Sequence, residues 1–269
     1  DIARHASIHD GQTSVIFSLE MSKSEITMRM LSAEARVGLN NIRSGSLSDD
    51  EWSRLARRMG EISEAPLFID DSPNLSMMEI RAKARRLKQR HDLKLIVIDY
   101  LQLITVHGKS RFDAVSDISR GLKILAKELN IPIIALSQLS RAVESRPGNN
   151  KRPMLSDLRE SGSIEQDADM VCFLYRPEYY GLTEDEEGRS TAGMAEVIVA
   201  KHRNGSTDTI LMNFEGKTTN FSAWDDGGFG NGQKEMITDF SFMEKSPIIP
   251  NNNLNAQANW NFAQNDMPA

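Results

Sequence analysis

A chain of 269 residues, 39% hydrophobic and 26% charged, is long enough for one large core or two small ones. Its formal net charge of −6 excludes a globally basic nucleic-acid coat, so any contact with DNA must come from a local patch. The single cysteine, Cys172, excludes a disulfide framework, and no apolar stretch approaches membrane-spanning length. With no visible signal peptide, the expected location is a reducing cytoplasm.

Residues 1–9 read as the last turns of a helix that stops near Gly11. Residues 13–20 read as a strand ending in the carboxylate of Glu20. Ser22 and Glu25 have capping-box spacing, in which each side chain satisfies the other's free backbone N–H. Ser48 with Glu51 and Ser76 with Glu79 repeat it, predicting helices that start near residues 23, 49 and 77. Residues 66–70 form a short strand between the last two. The third helix carries Arg81, Lys83, Arg85, Arg86, Lys88 and Arg90, the pattern of a solvated charged face.

Residues 95–98 are an apolar run closed by Asp99, the signature of a parallel strand covered on both faces. A carboxylate at the C-terminal edge of such a strand sits where open α/β sheets place ligands, and in P-loop ATPases it serves Mg²⁺. Alone, the same residue can simply cap the next turn.

A polar loop through Gly108 leads to Val115, Ile118, Leu122, Leu125 and Leu129, an amphipathic helix ended by Asn130. Residues 131–138 then read as another buried strand. Residues 140–163, polar and containing Pro147, Gly148 and Pro153, form a loop of the length that carries function or disorder. Cys172 lies in the apolar run 170–175, which predicts a packed, inert thiol. After an acidic loop at 184–189, residues 195–200 and 209–214 read as late antiparallel strands. From residue 225 a glycine run opens an Asn-rich tail without apolar periodicity, so 225–269 is expected to be a disordered tail and 1–224 the folded domain. The expected class is α/β, a mostly parallel sheet flanked by helices.

Five segments occur in a telling order. They are Phe17-Ser18-Leu19-Glu20-Met21, Ile98-Asp99-Tyr100-Leu101-Gln102-Leu103, Leu136-Ser137-Gln138-Leu139, the block 157–169 (DLRESGSIEQDAD) and Lys201-His202-Arg203-Asn204-Gly205. Together they resemble the C-terminal motor domain of DnaB-type replicative DNA helicases, a RecA-like ATPase, over residues 1–224. The resemblance implies that Glu20 is the catalytic glutamate that activates water. It implies that Asp99 holds Mg²⁺ through water and that Gln138 senses the γ-phosphate. It implies that Lys201 and Arg203 reach across a subunit boundary to a neighbour's γ-phosphate, a contact that can be worth roughly 10³–10⁵ in rate. Two residues apart on an extended chain, Lys201 and Arg203 point the same way and His202 the other. Arg159, Glu160 and Gly162 are implied to line a channel and contact the backbone of single-stranded DNA without reading sequence.

The implied whole is an ATP- and Mg²⁺-dependent helicase, a homo-hexameric ring moving on single-stranded DNA, with primase and a helicase loader as partners and no membrane. Each residue also has a plainer role. Glu20 could face the next helix N-terminus, Gln138 could be a satisfied loop residue, and Lys201 and Arg203 a solvated basic hairpin. A recombinase-like ATPase and a non-catalytic oligomerising module are the competing readings of the chain.

One departure is plain: no Gly-x-x-x-x-Gly-Lys-Ser/Thr phosphate loop occurs. Gly108-Lys109-Ser110 would need glycine where Leu103 stands, and Gly216-Lys217-Thr218 would need it at Leu211. The expectation is a motor domain truncated upstream, lacking the first strand, the phosphate loop and the family's N-terminal collar, and inactive as these residues alone.

Overall fold

The structure, a computed structural model, describes residues 1–106, 108–146, 151–184 and 188–224, without the side chains of 159–161. The expected tail, Pro147 and Gly148, and the centre of the acidic loop lie outside the described residues.

The chain opens with α1 (Ile2–Arg4), continued as a π turn over His5–His9 and closed at Gly11 with φ +62°. β1 (Ser14–Ser18) follows, then three helices, α2 (Lys23–Ala35), α3 (Leu39–Ser44) and α4 (Asp49–Glu64). β2 (Leu67–Asp70), α5 (Met77–His91), β3 (Leu95–Asp99), α6 (Arg111–Leu129) and β4 (Ile133–Ala135) complete the first half. The expected polar loop after Asp99 contains a 3-10 turn, Leu101–Leu103. The expected long loop contains two more, Arg141–Val143 and Leu155–Ser161, the second running into α7 (Gly162–Asp167). β5 (Met170–Tyr175), β6 (Met194–His202), β7 (Asp208–Glu215) and β8 (Asn220–Ala223) end the domain.

β2-β1-β3-β4 is a wholly parallel sheet, and β5-β6-β7-β8 is a separate antiparallel one. The central strands of the parallel sheet are apolar on both faces, with Val15, Phe17, Ile96 and Ile98 fully buried. Ile80, Ala84 and Leu87 of α5 and Ile118, Leu122 and Leu125 of α6 cover them, forming the main core. This burial of contiguous apolar area is the dominant favourable term holding the sheet in place.

The three capping boxes form as the spacing predicts, at Ser22, Ser48 and Ser76. Hydrogen bonds from these serines hold the carboxyls of Glu25, Glu51 and Glu79 below the usual carboxylate range. α6 starts four residues before its first expected apolar position because the Ser110 hydroxyl caps it, accepting the Asp113 N–H at 3.2 Å.

Three expectations are corrected. The buried strand expected over 131–138 is only β4, three residues at the end of the sheet order and partly exposed. Cys172 is exposed, not packed. β5 alternates, turning Val171, Phe173 and Tyr175 inward and Met170, Cys172 and Leu174 outward. An all-apolar run hides this alternation, because both faces read alike in sequence. Lys83, read as part of a solvated face, is only 8% exposed and donates to Asp70 at 2.7 Å. Among the described residues no helix is long and apolar enough to cross a membrane.

Candidate functional site

β1 and β3 run side by side with Ser18 opposite Asp99, so their carboxyl ends meet. Asp99 closes β3, and Glu20 lies two residues past the end of β1. β4 is the next strand, hydrogen-bonded to β3 up to Ile98 opposite Ala135. The fold thus brings Glu20, Asp99 and Gln138 to the C-terminal edge of three neighbouring strands, the edge where open α/β sheets bind ligands.

The turn that carries Glu20 is braced on several sides. The Leu19 N–H donates to the Asp99 carbonyl at 2.8 Å, and the Ser18 hydroxyl donates to the Met21 carbonyl at 2.6 Å. The start of α2 is satisfied by the Ser22 box and by Asp71, whose carboxylate accepts the Lys23 N–H at 2.8 Å. With that terminus capped by other groups, the exposed Glu20 carboxylate is not spent as a cap.

Asp99 is half-buried. Burial, and then the negative charge of Glu20, push its carboxyl above the usual range, with Arg29 opposing. Like charges at a desolvated strand end suit a bound cation. Mg²⁺ in phosphate-handling sites takes one or two carboxylates, with waters and phosphate oxygens filling the remaining positions. Among the described residues no cluster of three or more His, Cys, Asp and Glu forms a closed protein cage. Asp99, with Glu20 nearby, offers the one or two carboxylates that such a site uses.

Gln138 is exposed just past β4, and its backbone is held by Gln102. Gln102 stands in the Asp99 motif, where the sequence alone assigns it no role. Its one signal was a polar residue between Leu101 and Leu103, and Asp71 and Lys83 gave none.

Lys201 and Arg203 do point to one side. The Lys201 ammonium donates to the carbonyls of Glu165 and, at 2.9 Å, Ala168. The Arg203 guanidinium meets Asp169 and the Gln166 carbonyl, both at 3.0 Å. His202 turns toward Gly205, where a Cβ would lie 2.4 Å from the His202 Nδ1, so a larger residue there would force the His202 ring to move. No contact among the described residues joins Lys201 or Arg203 to Glu20, Asp99 or Gln138 of the same chain.

Arg159 and Glu160 lie on the 3-10 segment, and their side chains are outside the described residues. Gly162 starts α7 with φ −53°, and a Cβ there would meet nothing within 4 Å. Neither backbone strain nor internal packing demands glycine at that position.

Comparisons with known proteins identify the family of this fold. A replicative DNA helicase DnaB of Mycobacterium leprae is 60% identical over 215 residues, covering 79% of this chain and 34% of the relative. One of Geobacillus stearothermophilus is 50% identical over 217 residues, covering 80% and 46%. The chain thus spans between a third and a half of these curated relatives. A solved DnaB-like replicative helicase, described with its interactions with primase, superposes with a TM-score of 0.74 at 38% identity, covering 80% of this chain and 51% of that one. A solved ATPase domain gives a TM-score of 0.76 at 38% identity, covering 83% and 78%. The family model described as DnaB-like helicase C terminal domain matches residues 1–223, and the chain belongs to that family.

Proposed function

We propose that this domain is the motor of an ATP-driven replicative DNA helicase that moves along single-stranded DNA as a hexameric ring. The observation that carries the reading is the meeting of Glu20, Asp99 and Gln138 at one sheet edge, with Glu20 free of the capping role that would explain it away. Family membership favours this over a recombinase-like ATPase. An intact carboxylate set at the strand ends speaks against a module that has lost its chemistry.

The residues divide the work as follows. Glu20 accepts a proton from the attacking water as its oxygen bonds to the γ-phosphorus and the terminal anhydride bond breaks. Asp99 holds the metal ion, Mg²⁺, which when bound offsets charge on the nucleotide phosphates. Gln138 presents its side-chain amide to the γ-phosphate and distinguishes ATP from ADP. Lys201 and Arg203 serve the γ-phosphate of a neighbouring subunit. Arg159, Glu160 and Gly162 face the DNA backbone, and an open Gly162 lets a phosphate approach the main chain. No Gly-x-x-x-x-Gly-Lys-Ser/Thr phosphate loop occurs among these 269 residues. Primase and a helicase loader are the partners this role calls for, and the cytoplasm is its place.

The test is Glu20→Gln in the full-length protein. Turnover should fall by about 10²- to 10⁴-fold, the range for loss of a general base, with nucleotide binding retained. An unchanged ATPase rate would remove Glu20 from the chemistry.

A further inference from the structure

We propose that Gln102 is a positioning residue that aims Gln138 at the γ-phosphate. The inference rests on the reading of Gln138 as the phosphate sensor. β4 ends at Ala135, and the main-chain ladder continues only one residue further. There the Leu136 N–H donates to the Ile98 carbonyl at 2.9 Å, and its carbonyl accepts from Leu101 at 3.0 Å. Beyond Leu136 the Gln102 side chain takes over. Its Oε1 accepts the Gln138 N–H at 3.3 Å, while its Nε2 donates to the Ser137 hydroxyl at 2.9 Å and the Gln138 carbonyl at 3.4 Å. The orientation of the amide is fixed by chemistry. A backbone N–H can only donate, so the atom facing it must be the oxygen.

One primary amide thus does the work of a missing strand neighbour. It keeps the backbone extended to residue 138 and sets the direction in which the Gln138 side chain leaves it. The base of this clamp is firm, because Leu101 beside it is fully packed and Asp99 lies three residues upstream on the same segment. The clamp therefore ties the metal-binding carboxylate to the phosphate sensor. Past it, the Ser140 N–H donates to the Asp157 carbonyl at 3.1 Å, joining the same stretch to the segment that carries Arg159. Gln102, Gln138, Ser140 and Asp157 line one small polar cleft.

The experiment uses the full-length protein and Gln102→Leu, which keeps side-chain volume and removes all three hydrogen bonds. Turnover should fall about 10- to 100-fold, the range seen when groups that orient an active residue are lost. KM for ATP and the melting temperature should stay near wild type, which a general packing defect would not allow. Gln102→Glu retains the acceptor for the Gln138 N–H and should recover part of the rate. Gln102→Leu combined with Gln138→Ala should be no slower than Gln138→Ala alone, because both remove the same function. Should the leucine variant not fold, Gln102→Ala is read in its place by the same criteria. Wild-type turnover in the variant, or losses that multiply with Gln138→Ala, would overturn the proposal. If Gln138→Ala itself turned over normally, the sensor reading would fall first and Gln102 with it. A slow Gln138→Ala beside a normal Gln102→Leu would remove only the positioning role.

Discussion

At the scale of single residues, the site is a balance of like charges. Asp99 is half-buried and faces the charge of Glu20, and both effects make its proton harder to lose. For a carboxyl whose folded pKa lies above its unfolded value of about 3.9, the stabilising contribution is complete below that value and is lost as pH rises through the folded one. At neutral pH the ionised Asp99 is thus a cost to the nucleotide-free protein. Asp99→Asn should raise the melting temperature at pH 7.5 in the absence of Mg²⁺ and nucleotide. The gain should shrink toward pH 4, as a growing share of wild-type Asp99 takes up its proton. Scanning calorimetry at the two pH values reads both, and a lower melting temperature at pH 7.5 would show that another group compensates the charge. Asp99 and Glu20 were legible because a carboxylate closing an apolar run is a local pattern. Gln102 was not, because its partners lie some 35 residues away and the pairing exists only once β3 and β4 are neighbours.

At the scale of elements, local signals carried well where the chemistry is local. The three capping boxes announced the starts of α2, α4 and α5, since donor and acceptor lie within one turn. They said nothing of what the helices would bury. Lys83 shows the limit: on a helix full of cations it is the one drawn inward, to Asp70, which is 2% exposed, and to the Ser72 hydroxyl at 3.2 Å. The pair fixes the end of β2, and the next residue, Asp71, caps α2 just after Glu20. β5 misled for a related reason, because its outward side chains are as apolar as its inward ones. Removing one partner of a buried ion pair leaves the other uncompensated, a loss of about 3–5 kcal/mol. Lys83→Met should therefore lower the denaturation midpoint strongly. Lys83→Met combined with Asp70→Asn should recover most of the loss, because no buried charge is then left alone. Urea titrations of the two variants make the comparison. Equal damage in single and double variants would mean that the lysine stem, not the charge, holds β2 to α5.

At the scale of the whole molecule, the two halves of the proposed chemistry sit on different sheets. Glu20, Asp99 and Gln138 crown the parallel sheet, whereas Lys201 lies at the end of β6 of the antiparallel one and Arg203 just past it. Within one chain the basic pair is tethered to residues 165–169, directly behind the segment of Arg159 and Gly162. A guanidinium carries five N–H donors, so one edge can keep Asp169 while another serves a phosphate. This division of labour was only half legible in sequence. The two-residue spacing placed Lys201 and Arg203 on one side, but what faces them depends on assembly. If Arg203 completes a neighbour's site, Arg203→Ala should bind ATP nearly normally and lose most hydrolysis. Mixing it with Glu20→Gln subunits, once subunit exchange is verified by fluorescence, should restore part of the ATPase. The restored sites are those where an intact Glu20 on one subunit meets an intact Arg203 on the next. An Arg203 acting inside its own subunit gives no rescue, because every site in the mixture still lacks one of the two groups. A purely structural pairing with Asp169 would instead lower stability without the selective loss of hydrolysis. Verified exchange with no regained activity would remove the trans role of Arg203 and with it the main chemical reason for these domains to form a ring.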